Sequence, residues 1–519
     1  MPEFKNTFSL LHDDAITDRY KDSGLINHLR LIAGVVFPEN CDDVANTLHY
    51  CSKNNMHCYP ISSGRNWGYG GASPVLNDAL IVDFKKMNNI RHFDDVNGVV
   101  DIEPGVTQGQ LAHYLKDASW MVDCTGAGPD TSIVGNVLER GFGHGSNGNR
   151  SQHFTIKEAV LADGQVISLD DHKDYVGRAG LSAGLQEIFT QNNLAIITCI
   201  RFELSKRQEE SARCLIRLTN ANNLPLYIDK MAELKAEGTI DTLPHLGNSF
   251  RMFGVSQQFD FTQWDNKKGV TEQQIKNSLA QNNIAPWSSA FIVSGSKLVT
   301  KARIKRIKQQ LKGIAIVNSI SLKSLIKIND FIEKIYPLLK NINIYNRLKK
   351  TINQLTQAMI MFEGNPDGLA LKGCYWRHAS KQPSANEDPV IAGCGFYWIA
   401  PALPMKGEVV NNCIELTKTL YEQYGFEFAV TLTSVTSHMC QAIVSLYFNK
   451  EDEKETLRAK ELIGLLRDTY QKEGWICYRR SIDEMPFGES EIECDAIAIR
   501  KKIKASLDPN NIIAPGRYE

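Results

Sequence analysis

Several signatures that would place a function at once are missing from this sequence. No apolar run approaches the ~18–20 residues of a membrane-spanning helix, so no helical span is expected. The twelve cysteines are scattered without Cys-x-x-Cys or His/Cys ligand spacing. That argues against zinc and haem attachment and makes reduced thiols the expectation. Neither sign of charge dominates: 58 Lys and Arg against 59 Asp and Glu leave −1, so nothing global draws the chain to nucleic acid or a membrane surface. The opening residues Met1-Pro2-Glu3-Phe4-Lys5-Asn6-Thr7 lack the basic start and apolar core of a secretory signal, and a cytoplasmic protein is expected. Internal repeats and low-complexity segments are absent as well.

What is there is an ordinary globular composition, 43% hydrophobic and 23% charged, in a chain long enough for two or three domains of ~100–200 residues. The most informative stretch runs from Pro60 to Pro74, where Gly64, Gly68, Gly70 and Gly71 stand among polar side chains. Glycines give main-chain N–H groups close access to the oxygens of a phosphate-bearing cofactor. This loop does not spell Gly-x-Gly-x-x-Gly, and no Gly-Lys-Ser/Thr follows it. The dinucleotide fingerprint and the triphosphate loop therefore both lose weight. A second segment, Gly128 to Gly145, again mixes glycine with small hydroxyl and amide residues, and a third, Leu507 to Arg517, closes the chain with Pro and Gly turns around Ile512 and Ile513.

Between these segments the periodicity alternates. Cys41–Met56 reads as a helix with Val44, Leu48 and Cys51 on one face, and His57–Ile61 as the strand that delivers the first loop. Ala79–Phe84 and Val99–Glu103 read as short buried strands, and Val106–Lys116 as a helix after the Pro104-Gly105 turn. Ala159–Leu169 is a hairpin turning on Asp163-Gly164, and Leu194–Leu204 a further strand. This order suits two small α+β lobes with a cofactor between them. The plainer alternative is an α/β domain whose loops merely happen to be glycine-rich. From about residue 215 the texture changes to helical segments with long polar stretches.

The three segments closely resemble the vanillyl-alcohol oxidase and p-cresol methylhydroxylase flavoprotein family, in the same order, over about residues 30 to 205 and 395 to 519. The resemblance implies an α+β protein with a two-lobed FAD-binding domain, residues 1–215 with 477–519 returning to it, and an α+β cap domain, 216–476, over the flavin ring. It implies that Ser62, Ser63, Gly64, Arg65, Asn66, Gly68, Tyr69 and Gly70 wrap the pyrophosphate. Ser132, Ile133 and Asn136, with Gly141 in the same segment, would approach the ribityl chain and ring. Ile197 would lie at the strand entry near the adenine, although Ala195 replaces a usual glycine. Arg517 would set a cation near the N1–C2=O edge of the flavin.

The same resemblance places Tyr69, Tyr478 and Arg479 at the reacting end. Two tyrosine hydroxyls and a guanidinium on one oxygen stabilise a phenolate, which pushes electrons to the para carbon and makes its benzylic C–H a better hydride donor. Taken singly, a Tyr in a glycine loop is packing and a Tyr-Arg pair is a surface pair. The chain departs from the family where phenol-oxidising members carry an Asp beside flavin N5: Ala127 stands there, with Asp130 three residues on as the candidate if the loop is redrawn. Without a carboxylate, base-assisted water addition to a quinone methide loses support, and desaturation, cyclisation or another tailoring reaction gains it. Many members hold FAD covalently through a cap-domain His or Tyr. Counting back from Pro401, that position falls on Phe396, so Tyr397 is the candidate, with His378 and Tyr375 behind it and loop-held, non-covalent FAD as the alternative. Trp67 occupies the region where bicovalent relatives carry a histidine.

The expectation is thus an FAD-dependent oxidoreductase that takes a hydride from a para-substituted phenol or related aromatic to flavin N5 through a quinone methide. The alternatives are a biosynthetic tailoring oxidase acting on a natural-product or carrier-bound intermediate, and a flavin binder without turnover. Residues 301–350 hold 13 Lys or Arg against Asp330 and Glu333. They are read either as a docking face for an acidic electron acceptor or carrier protein, or as the solvated face of cap helices with Ile304, Ile307, Leu311 and Ile314 turned inward. A homodimer is common among relatives.

Overall fold

A computed structural model of the chain describes residues 14–519 apart from 27, 28, 171–176, 180, 181, 183, 257, 266, 272, 276, 278–284, 340–344, 347, 348, 350, 351, 353–355, 357, 358, 360, 379–386 and 487–494. The first lobe is a three-stranded parallel sheet in the order Ile32–Val36, Ala79–Asp83, Cys58–Ile61. All five residues of its central strand are buried, as a strand covered on both faces requires. The helix Cys41–Lys53 begins at Asn40, whose side chain accepts from Asp43 N, and turns Val44, Leu48 and Cys51 into the core of this lobe.

The second lobe is a five-stranded antiparallel sheet in the order Ile90–Asp94, Val99–Ile102, Ile196–Glu203, Phe154–Val160, Val166–Ile167. Its Asp163-Gly164 turn forms as expected, with Gly164 at φ +84°. The C-terminal segment returns to the first lobe: Cys58 N donates to Ile512 O at 2.9 Å and Ala514 N to Cys58 O at 2.8 Å. Buried Asp508 holds that turn by accepting from Ile512 N, Ile513 N and Lys504 Nζ.

The sequence texture beyond residue 215 suggests helices, but this region is built on a nine-stranded antiparallel sheet. Its order is Ile316–Ser321, Glu210–Leu218, Trp287–Gly295, His245–Asn248, Ala429–Ser434, Met439–Phe448, Pro401–Pro404, Ile476–Cys477, with Gly395–Ile399 also paired to Met439–Phe448. Because side chains alternate across a strand, the sheet has two characters. Tyr397, Ile399, Val430, Leu432, Cys440, Ala442, Val444 and Leu446 belong to the largest apolar core, under the helices Leu224–Ala236, Gly407–Gln423 and Glu453–Lys472. The other face, with Phe396, Trp398, His245, Thr433 and Gln441 in paired register, is turned to the first two lobes. In the basic region, the helix Lys297–Gln310 and the turn after it bury Ile307, Leu311 and Ile314 with Ile304 against the same core, while Lys301, Lys305 and Lys308 are exposed. No helix among the described residues is long and apolar enough to cross a membrane.

Candidate functional site

The two lobes and the cap enclose a cleft of about 1100 Å³, part of it open to solvent. Ser62 to Trp67 form one wall, Ser132, Gly135 and Asn136 the facing wall, Ile196 and Ile197 one end, and Trp398, Arg479 and Arg517 the other. Glycine is what lets the walls meet. A Cβ on Gly135 would lie 2.2 Å from Ser62 Oγ, and Gly64 sits at φ +69° with Ala72 Cβ 2.8 Å from where its own Cβ would be. The walls are then tied together, because Ser63 Oγ accepts from Ser132 N at 2.9 Å while Ser132 Oγ accepts from Gly135 N and donates to Pro104 O. An elongated cleft of this size, with hydroxyls and glycine-rich backbone along it and an apolar indole at one end, suits a long phosphate-bearing cofactor with a flat ring system.

At the cap end three candidate side chains converge. Tyr69 is buried, with the Arg479 guanidinium 4.4 Å from its ring centroid and Trp398 edge-on at 5.9 Å. Tyr478 stacks on Phe142 at 5.2 Å. Burial holds both phenols above their ordinary range; Arg479 opposes this at each, and at Tyr478 hydrogen bonding with Arg479 and Tyr69 opposes it too. Both therefore remain neutral O–H donors around neutral pH. Burial works against the charge on Arg479, and the Glu139 carboxylate beside it works in its favour.

Glu139 was not singled out in the sequence, yet it organises this end. Its Oε1 pairs with Arg517 and its Oε2 accepts from Tyr518 at 2.9 Å and lies 3.4 Å from Arg479 Nε. Arg479 also donates to Asn66 Oδ1, so a residue of the first glycine loop and one of the second segment aim the same guanidinium. Arg517 is held between Glu139 and Asn192 O. No local pattern marks Glu139; only the folded chain sets it between two arginines.

Other candidates are placed differently. Asp130 is exposed, with its side chain 60% accessible, and lies 3.5 Å from Arg65 Nη2 on the outer side of the loop, so it does not join the Tyr69–Tyr478–Arg479 group. Ala127 does line the cleft, its carbonyl accepting from Trp67 Nε1 and Thr131 Oγ1. Tyr397 faces away from the cleft: the strand's alternation turns Phe396 and Trp398 toward the lobes and puts Tyr397 in the cap core, bonded to Ser481 Oγ. Tyr375 and His378 are engaged with Glu387 O and Ala392 O. Ile133 is packed inside the second lobe, and Gly141 backs the cleft, since a Cβ there would strike Asn136 Nδ2 at 2.1 Å. Gly68 and Gly70 give room to Trp398 and Ile482.

One further run reads differently in the fold. Gly143-His144-Gly145-Ser146-Asn147-Gly148 does spell Gly-x-Gly-x-x-Gly, but it follows the helix Ile133–Leu138, and its His144 and Gly145 N–H groups both donate to Asp123 Oδ1 at 2.8 Å. The glycines are explained by that carboxylate, because Cβ atoms on Gly143 and Gly145 would fall 2.5 and 2.8 Å from Asp123 oxygens.

Residues 32–170 match the family described as FAD binding domain. The chain is 26% identical over 510 residues, 94% of its length and 90% of the relative's, to the 1'-carboxy-chondrochloren decarboxylase of Chondromyces crocatus. It is 24% identical, over 92% of its length and 85% of the relative's, to the flavoprotein subunit of 4-cresol dehydrogenase [hydroxylating] of Pseudomonas putida. Among solved structures it is similar to 4-ethylphenol oxidase from Gulosibacter chungangensis, with a TM-score of 0.84, 19% identity and 98% and 94% of the two chains covered. It is likewise similar to p-cresol methylhydroxylase with substrate bound, with a TM-score of 0.82, 19% identity and 98% and 93% covered. The fold and the matched domain define an FAD-binding flavoprotein. The chain is an FAD-dependent oxidoreductase with the fold of the p-cresol methylhydroxylase and 4-ethylphenol oxidase structures.

Proposed function

We propose that this enzyme oxidises a para-substituted phenol whose side chain carries a carboxylate, and that the quinone methide so formed is consumed by loss of CO2. The observation that carries this reading is Arg479, which lines the cleft with buried Tyr69 and half-buried Tyr478 packed beside it, together with Ala127 in the cleft loop where a carboxylate would assist water addition. Bound FAD supplies the hydride acceptor. Arg479 and the two phenols receive the substrate oxygen and favour its ionised form. The electrons of that phenolate drive the benzylic C–H pair out as hydride, leaving a neutral quinone methide. The C–COO⁻ bond then breaks, its electron pair forms the side-chain alkene and restores the aromatic phenolate, and CO2 departs. No water has to be activated. Similarity to a relative named as a decarboxylase over nearly the whole chain supports this outcome, whereas similarity to a hydroxylating dehydrogenase supports water capture.

The test is anaerobic mixing with 3-(4-hydroxyphenyl)propionate, followed by product analysis. Flavin bleaching with release of CO2 and 4-vinylphenol is expected. A benzylic alcohol that keeps its carboxylate overturns decarboxylation and leaves phenol oxidation standing, while no bleaching by this acid or by 4-ethylphenol sinks both.

The cap strand also bears on how FAD is held. Trp398 faces the cleft and Tyr397 does not, and neither Trp398 nor Phe396 is a nucleophile suited to a flavin bond. We therefore expect FAD to be non-covalent: acid precipitation leaves the yellow colour in the supernatant. Colour retained in the pellet contradicts this.

A further inference from the structure

Four charged side chains among the described residues line the flavin cleft: Arg65, Glu139, Arg479 and Arg517. Arg65 is paired elsewhere, with Asp388 and Asp130. The other three stand together at the cap end. Glu139 bridges the two arginines: its Oε1 holds Arg517, and its Oε2 accepts from Tyr518 Oη at 2.9 Å and lies 3.4 Å from Arg479 Nε. The further acceptors of these guanidiniums are neutral, Asn66 Oδ1 for Arg479 and Asn192 O for Arg517.

Two guanidiniums on one carboxylate leave one positive charge over. Tyr69, Tyr478 and Tyr518 do not change that count, because burial raises each phenol and keeps it protonated around neutral pH. Around them, Tyr59 and Cys477, both pushed up to about 12 by burial, stay neutral as well. Arg30 is paired with Asp483 at 3.1 Å, and Arg500 lines a different hollow.

Oxidation of a phenolate involves one negative charge throughout. It sits on the substrate oxygen until the benzylic C–H pair leaves as hydride; the quinone methide is then neutral, and the hydride acceptor has gained the charge. One surplus positive charge matches either stage. A carboxylate in contact with both guanidiniums lets that surplus act on either side of it.

We propose that Glu139 is the positioning residue that sets this count: it holds Arg479 and Arg517 in place and cancels one of their two charges, so that the substrate oxygen and the bound flavin share a single positive charge. This rests on the phenol reading above and adds that ionisation of the substrate and reduction of the flavin are coupled through one carboxylate.

The test reads charge and not turnover. 4-Nitrophenol has no benzylic hydrogen and its phenolate absorbs in the visible, so titrating the oxidised holoenzyme over a pH series gives the pH at which the bound phenol ionises. Reductive titration without ligand gives the flavin midpoint potential. Glu139→Gln keeps an accepting oxygen for the arginines and removes the charge. Bound 4-nitrophenol is then expected to ionise about one pH unit lower than in the wild type. The potential is expected to rise by about 30 mV, a tenfold shift for a two-electron couple. Glu139→Asp keeps the charge and should stay near the wild type in both readings. A Glu139→Gln enzyme in which either reading is unchanged or moves the other way overturns the proposal. So does Glu139→Asp shifting as far as Glu139→Gln, since geometry and not charge would then be responsible. If Glu139→Gln does not fold, Arg517→Gln, which leaves no surplus charge, must move both readings in the opposite direction, and no shift there overturns the proposal too. If 4-nitrophenol does not bind the wild type while the potential shifts as expected, the charge assignment stands at the flavin and the phenolate reading falls.

Discussion

Arg479→Gln is expected to slow anaerobic flavin bleaching by a para-alkylphenol by about 10²–10³-fold, the cost of removing one donor from a pre-organised oxyanion site. The guanidinium is pre-organised: Asn66 and Glu139 hold it over the Tyr69 ring, so little rearrangement is needed when charge builds on the substrate oxygen. Glutamine keeps length and polarity but loses the charge. Arg479→Lys should not restore the rate, because an ammonium cannot stack on Tyr69 while donating in two directions. Tyr478→Phe removes a second donor and should act in the same direction. FAD content, read from visible absorbance, separates lost chemistry from lost cofactor. An Arg479→Gln enzyme that keeps its flavin and bleaches within about threefold of the wild-type rate removes the phenolate reading, since the donor would then be doing far less than such donors do.

The second large effect is on stability. Arg377→Met is expected to destabilise the protein by about 3–5 kcal/mol, because it strands two buried carboxylates. Arg377 is fully buried; Nε and Nη2 reach the two oxygens of Glu427, each at 3.0 Å, and Nη1 reaches Glu455 Oε1 at 2.9 Å. Nη2 also satisfies Gly425 O, and Glu427 in turn accepts from Trp376 Nε1 and Val270 N. Phe259 and Phe426 lie 4.7 and 5.0 Å from the guanidinium carbon, so the network sits in an apolar shell that raises the cost of an unpaired charge. Urea unfolding of the holoprotein is the measurement. A loss below about 1 kcal/mol, the scale of an exposed ion pair, would show that the network is solvated. Replacing Arg377, Glu427 and Glu455 together by apolar residues should recover much of the loss, since the penalty comes from breaking the set and not from lacking it.

Much of the FAD-binding part was legible because its signals are local. The period of Val44, Leu48 and Cys51, the Asp163-Gly164 turn and the buried strand Ala79–Asp83 each depend on neighbours within a few residues, and each element forms. The cap was less legible. Glu210–Leu218 pairs with Trp287–Gly295 and Ile316–Ser321, partners some 70 to 110 residues away, and such pairing leaves little trace in local periodicity.

By itself, the sequence determined the glycine-rich walls, the order of elements from residue 41 to 204 and the FAD-binding domain they form, because glycine conformation and hydrophobic period are properties of short segments. Only the tertiary structure decided which polar groups act together. It drew Glu139 between Arg479 and Arg517, turned Tyr397 away from the cleft and Trp398 toward it, and left Asp130 outside with Arg65. The physical reason is that a hydrogen bond or ion pair is set by distance in space, and strand pleat and long-range pairing, not spacing along the chain, set those distances.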